Sequence, residues 1–231
     1  LGCNMTLGDL PTLSKEDLGD EGNAFLARYD MDAGWIWAVS ISNYFDIFMM
    51  DLYVDLYDNI HASVLFRDML DVNGTIFLGS TEPSVALMMF DENGILETGH
   101  TAMSELGVDP FGGFCQNSIG ETFIALTFIG EISFEEVGSI EAVGGSDIVV
   151  AKYDEDDWQW IQNAGGEGDE RAYGCIPGDE QSVQVYGSFE GNASFGNEYT
   201  ESSQWVDAYI ATLDPLGFWS ALSTEGGLGY E

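Results

Sequence analysis

Two short acidic runs carry the residue types and spacing from which a cation site is built. Asp30-Met-Asp32 and Asp154-Glu-Asp156 each set carboxylates two residues apart. That spacing puts alternate oxygen ligands on one side of a loop, as a hard cation such as calcium requires. Neither run continues into the glycine and distal glutamate of the twelve-residue helix-loop-helix site, and the related run Asp214-Pro-Leu-Gly217 holds a single acid. The expected outcome is therefore hairpin turns whose carboxylates face water. Weak calcium binding at Asp30, Asp32, Asp154 and Asp156 is the alternative, and a high negative charge favours it.

Other chemistry is harder to assemble. His61 and His100 are the only imidazoles, and neither stands at diagnostic spacing from a serine, cysteine or metal-ligand partner. Both are expected to be structural or surface residues. Glycoside cleavage needs two carboxylates facing each other across a sugar, but 41 acidic residues make such a pair easy to imagine and impossible to assign. The glycine-rich loop from Gly165 to Gly168 lies between strand-like segments and is followed by acids that repel phosphate, so it is no phosphate cradle. Trp158 and Trp160 could form a sugar-stacking platform. Large aromatics that recur at one place in a repeat more often fill the space between sheets, and that is the expectation here. Asn4-Met-Thr6, Asn73-Gly-Thr75 and Asn192-Ala-Ser194 are glycosylation sequons, usable on a secreted protein.

The chain has 231 residues, 45% of them hydrophobic, enough to bury a sizeable core. Five basic residues against 41 acidic ones give a formal charge of −36. Such a field repels phosphate backbones and anionic headgroups, which argues against nucleic acid and direct membrane-surface partners. It suits a solvated surface that stays soluble at high salt or outside the cell. The longest apolar region, Trp35 to Tyr57, is interrupted by Asp46, Asp51 and Asp55, so a membrane-spanning helix is not expected. Residue 1 is Leu, which suggests a processed or excerpted chain, and Leu1-Gly2-Cys3 lacks the apolar segment that precedes a lipoprotein cysteine. Cys3, Cys115 and Cys175 are too few and too scattered for a zinc site or a disulfide framework. A disulfide needs Cα atoms within about 7 Å, and equivalent strands of adjacent sheets usually lie farther apart. Buried free thiols are therefore expected.

What positions these residues is an imperfect repeat. A strand-like segment ending in aspartate occurs four times, as Ala24–Asp30, Val85–Asp91, Ile148–Asp154 and Ala208–Asp214, and by subtraction the aspartates stand 61, 63 and 60 residues apart. Short turns follow, at Met31 to Gly34, Glu92 to Gly94, Glu155 to Asp157 and Pro215 to Gly217, rich in residues that tolerate tight geometry. Three copies then continue with aromatics, Trp35-Ile-Trp37, Trp158-Gln-Trp160 and Phe218-Trp219. Period-two alternation around such turns predicts antiparallel β-structure, with no segment of sustained helical spacing. The fold class expected is all-β, in antiparallel four-stranded repeats of about sixty residues. As a single β-repeat domain the chain divides into a partial repeat over 1–22, repeats over 23–83, 84–146 and 147–206, and a partial repeat over 207–231.

Asp147 to Gly196 resembles the SBBP-type β-propeller repeat of secreted and surface proteins of bacteria and archaea. The phrase is Asp147-Ile-Val-Val-Ala-Lys-Tyr-Asp154, a turn, Trp158, Gly165-Gly166, and later Tyr186-Gly-Ser-Phe189. The likeness is fair over Val206 to Gly227, weaker from Gly22 to Trp37, and poor from Ile41 to Asp71 and Thr98 to Ser118. It implies a radial array of four-stranded sheets, of which propellers have four to eight. Aligning the two chain ends on the complete copy leaves the equivalents of Arg171 to Ser188, 18 residues, unaccounted for. An excerpt from a longer array, an open β-structure completed by a neighbouring subunit at its sheet edge, and an incomplete four-bladed ring are the three explanations. The function expected is an extracellular or cell-surface, non-enzymatic structural or adhesive module that assembles with itself or another surface protein. The alternative is a module that binds glycan or protein, with a carbohydrate-active enzyme third.

Overall fold

A computed structural model describes residues 5–13, 23–154 and 157–226. Among them the protein is all-β and antiparallel, with one 3₁₀ turn at Asp179–Gln181, no α-helix and no sheet closed into a barrel. No helix among the described residues is long and apolar enough to cross a membrane. The chain folds as two compact units, Leu1–Thr101 and Ala102–Glu231.

In the first unit the strands are β1 (Asn23–Asp30), β2 (Gly34–Ser42), β3 (Phe48–Val54), β4 (Ile60–Phe66), β5 (Met69–Val72), β6 (Thr75–Leu78) and β7 (Ser84–Phe90). β8 (Leu96–Ser104) carries the chain into the second unit. β1, β2, β5 and β6 form one sheet in that order, and β4 pairs with β3 on one side and β7 on the other. Every residue of β4 is buried, as expected of a strand covered on both faces. Its Val64 and Phe66 join Ile41, Leu70, Val72 and Phe90 in the core of this unit.

The second unit holds β9 (Val108–Gln116), β10 (Thr122–Phe134), β11 (Gly138–Asp154), β12 (Asp157–Gly166), β13 (Glu170–Pro177), β14 (Val183–Phe195), β15 (Glu198–Leu213) and β16 (Trp219–Glu225). β10, β11, β14 and β15 run to 13, 17, 13 and 16 residues, well beyond the usual five or six. Their ladders shift register between Ile129 and Glu131 and between Glu190 and Asn192. The residue skipped is a glycine each time, Gly130 at φ +69° and Gly191 at φ +73°. This left-handed backbone is the conformation a bulge needs and a side chain resists. Residues 146–147 and 206–207, where the sequence copies abut, lie inside β11 and β15. The pairing of β9 to β12 recurs in β13 to β16: Cys115 opposes Phe123 as Cys175 opposes Val185, and Tyr153 opposes Trp158 as Leu213 opposes Trp219.

The cysteines correct the expectation of free thiols. Cys115 on β9 and Cys175 on β13 form a disulfide, with Cα atoms 5.5 Å apart. Cys175 Sγ also lies 3.6 Å from the carbonyl oxygen of Gly113 on β9. Beside the disulfide, the Ala172 N–H donates to Thr127 Oγ1 at 2.9 Å. Cys3 lies outside the described residues.

Candidate functional site

The acidic turns use their carboxylates internally. Asp30 Oδ1 accepts the N–H groups of Asp32 and Ala33 at 2.9 and 2.8 Å. Asp91 Oδ1 accepts those of Asn93 and Ile95, and Asp214 Oδ1 those of Leu216 and Phe218. An aspartate at this place closes the turn by replacing a backbone acceptor. The bonds from Ala33 and Asp32 hold the Asp30 carboxyl below its ordinary range, and Ile95 and Asn93 do the same for Asp91. Asp154 ends β11, while its side chain and Asp156 lie outside what is described. Among the described residues no group of three or more His, Cys, Asp or Glu is placed to hold a metal ion. Asn73 and Asn192 are exposed, Asn73 in the turn between β5 and β6, and Asn4 lies outside the described residues.

Trp158 is 4% exposed, with its ring edge-on to Phe134 and Tyr153, so it offers no stacking platform. Trp37 and Trp160 cover glycines of later turns, Gly94 and Gly217, and Trp37 Nε1 donates to the Glu92 carbonyl at 2.9 Å. Trp35 departs from the pattern and is 37% exposed. Exposed rings instead gather on the outer face of the second unit: Phe111 meets Tyr173 edge-on at 6.2 Å, and Tyr186 follows on β14. Arg171 Nε and Asp109 Oδ2 form an exposed ion pair of 3.4 Å on the same two strands, β13 and β9.

Two buried polar groups went unnoticed in the sequence. The first closes the turn between β3 and β4. Asp55 Oδ1 accepts the N–H groups of Tyr57 and Asn59, and Asp55 Oδ2 lies 3.0 Å from Asn59 Nδ2 and 3.2 Å from His61 Nε2. Burial raises this carboxyl, but the bonds from Asn59, His61 and Tyr57 outweigh it and hold the carboxyl below its ordinary value of 3.8. Ionised Asp55 therefore stabilises the fold above that value, and the contribution is lost as the pH falls through the folded one. Asp55→Asn is expected to cost about 1–3 kcal/mol at neutral pH, because it strips a charged acceptor from a buried network. In urea titrations the deficit should shrink below pH 3.8. His100 stands half-buried on β8, apart from this pair.

The second is a pair of carboxyls in the second unit. Asp147 on β11 and Glu170 at the start of β13 are both 0% exposed. Asp147 Oδ2 accepts the Val143 N–H at 3.0 Å, and Glu170 Oε2 accepts that of Gly166 at 2.6 Å. Asp147 Oδ1 and Glu170 Oε1 have no hydrogen-bond partner. The Asp147 carboxyl packs flat on Gly165, where a Cβ would strike it, and Asp207 packs on Gly226 in the same way. Burial is the main reason the Glu170 carboxyl is pushed up to about 7; the charges of Asp147 and Asp169 add to it, against the N–H groups of Gly166 and Glu190. Burial raises Asp147 as well. The signal was present in the sequence, since Asp147, Gly165 and Gly166 stand in the repeat phrase, but alternation cannot show which acids lose water.

No protein-family model matches the chain, and no curated protein matches it.

Proposed function

We propose that the chain is an extracellular or cell-surface β-repeat protein with a structural or adhesive role, built from four-stranded propeller-like repeats and assembling through its sheet edges. The Cys115–Cys175 disulfide carries this proposal, because disulfides form and persist in oxidising compartments and are rare in the cytosol. The charge of −36, the exposed sequon residues Asn73 and Asn192, and the likeness of Asp147 to Gly196 to SBBP-type repeats support it. So does the recurrence of strand pairing between β9–β12 and β13–β16. Calcium, if it binds, acts as a weak surface ligand of the acidic turns. The role is mechanical, with no catalytic step.

A second role, as a glycan-binding module, draws on the exposed Phe111, Tyr173 and Tyr186 beside the Arg171–Asp109 pair. Rings that stack on sugar faces next to charged hydrogen-bonding groups are suited to that ligand. Sedimentation of the intact protein across a range of salt and calcium concentrations separates the two. Assemblies larger than the monomer are expected, and a monomer under every condition overturns the assembly. Glycan-array binding that disappears in Tyr173→Ala, with the disulfide intact, replaces the structural role by the second one.

A further inference from the structure

The Asp147 and Glu170 carboxyls pose a problem of charge that no basic side chain among the described residues solves. Two ionised carboxylates removed from water each carry a desolvation penalty of several kcal/mol unless a cation or a full set of donors compensates. The basic residues among those described are committed elsewhere. Lys152 Nζ pairs with Glu121 Oε1 at 2.6 Å, Arg171 with Asp109, and Arg67 with Glu82, while Arg28 donates to the Glu92 carbonyl; Lys15 lies outside the described residues. Each carboxyl of the pair receives backbone N–H bonds on one oxygen and leaves the other without a partner.

The groups that face Glu170 reinforce the problem. Asp147 on β11 and Asp169 just before β13 both act on it as like charges. Asp169 Oδ1 is held by the Ser146 N–H at 3.1 Å, beside Asp147. From β14, the Glu190 N–H donates to the Asp169 carbonyl at 3.1 Å and its side chain is exposed. From β15 comes Tyr209, which stays protonated because burial and the Glu170 charge push its phenol far up; its hydroxyl donates to the Arg171 carbonyl at 3.2 Å. Asp207, on the same strand, stands opposite Phe189, the residue that pairs with Glu170. None of these brings a positive charge.

We propose that the buried pair Asp147 and Glu170 keeps one proton rather than two charges near neutral pH, and that loss of this proton on alkalinisation weakens the junction of β11, β12 and β13. The junction is tied by the same carboxyls: Glu170 bridges to Gly166 at the end of β12, Asp147 bridges within β11 to Val143, and Gly145 donates to the Gly168 carbonyl between them. One proton removes one of the two buried charges. The second unit is therefore held most tightly in mild acid and loosens above neutrality, a pH response that the proposed structural role does not require.

The sign follows from the raised value. A carboxyl that titrates at about 7 when folded, against an ordinary 4.5, binds more protons in the folded state between those values, so stability falls as the pH rises through that window. Aspartates held low, such as Asp55, lose their protons below it. The comparison is made between variants, so that contributions common to both cancel. In urea unfolding of the full chain, the folded-to-unfolded ratio of the wild type should drop roughly fifty-fold or more from pH 5 to pH 8 through this pair. Glu170→Gln should remove most of that drop and Asp147→Asn a smaller part of it, because burial outweighs the neighbouring charge at Glu170, and the double variant should add little to Glu170→Gln. Carbon-13 titration of the side-chain carboxyls in the wild-type protein reads the proton directly and needs no variant to fold. A step near pH 7 at Glu170 or Asp147 is expected. Both carboxyls titrating below pH 5, or single variants that retain the full drop, overturn the proposal.

Discussion

Replacing Cys115 and Cys175 together by alanine, or reducing the intact protein, lowers the unfolding temperature of the second unit by roughly 10 °C or more, at a few degrees per kcal/mol. The bond closes a loop across a sequence separation of 60 residues, and chain entropy alone then sets its contribution at about 4 kcal/mol. Both sulfurs sit in the core with Phe123, Val185 and Phe189, so the alanine variant also loses buried volume, whereas reduction does not. Thermal scans with and without reductant therefore isolate the cross-link. In thiol titration of the denatured protein, Cys115 and Cys175 should become reactive only after reduction. Reactivity of both before reduction, or an unfolding temperature indifferent to reductant, would remove the bond and with it the main support for an oxidising compartment.

The second large effect is expected at Gly187. It stands at the centre of β14, opposite Ala172 of β13 and Tyr209 of β15. A Cβ there would drive into the Arg171 carbonyl and stand 2.9 Å from the Tyr209 ring. Neither obstacle yields easily, because the carbonyl belongs to a paired strand and Tyr209 is 2% exposed. Gly187→Ala should cost about 3 kcal/mol or more, at the upper end of overpacking effects. Gly191→Ala, four residues on in the same strand, makes the comparison. Its φ is +73° and nothing lies within 4 Å of the added Cβ, so only the left-handed strain remains, about 1–2 kcal/mol. Equal losses in urea unfolding at the two sites would show that β13 and β14 are not packed as described.

The contrast between these glycines shows what was legible. Gly191 takes up a left-handed bulge inside β14, a local conformation with a local cause. The turns at Asp30, Asp91 and Asp214 were legible for the same reason, since an aspartate that accepts from the residues two to four positions on needs nothing from the rest of the chain. Alternation within Ile148 to Asp154 predicted a strand, and β11 covers it. The same alternation could not show that β11 begins at Gly138 and runs through the point where two copies abut, because length depends on the partner ladder of β10. Trp158 was expected in the core and is buried. Trp35 repeats the motif at the surface, since exposure is decided by what packs over the ring.

By itself, the sequence determined the all-β, antiparallel character of this protein and the places of its turns, because both arise from interactions between residues a few positions apart. Only the tertiary structure decided that Cys115 meets Cys175, that His61 is buried against Asp55, and that Asp147 and Glu170 lose their water. Desolvation and cross-linking depend on which strands cover which. His61 needs its hairpin and a fully covered β4, and the other two need strands from neighbouring copies to pack together. A side chain's own neighbours in the chain carry no record of that packing.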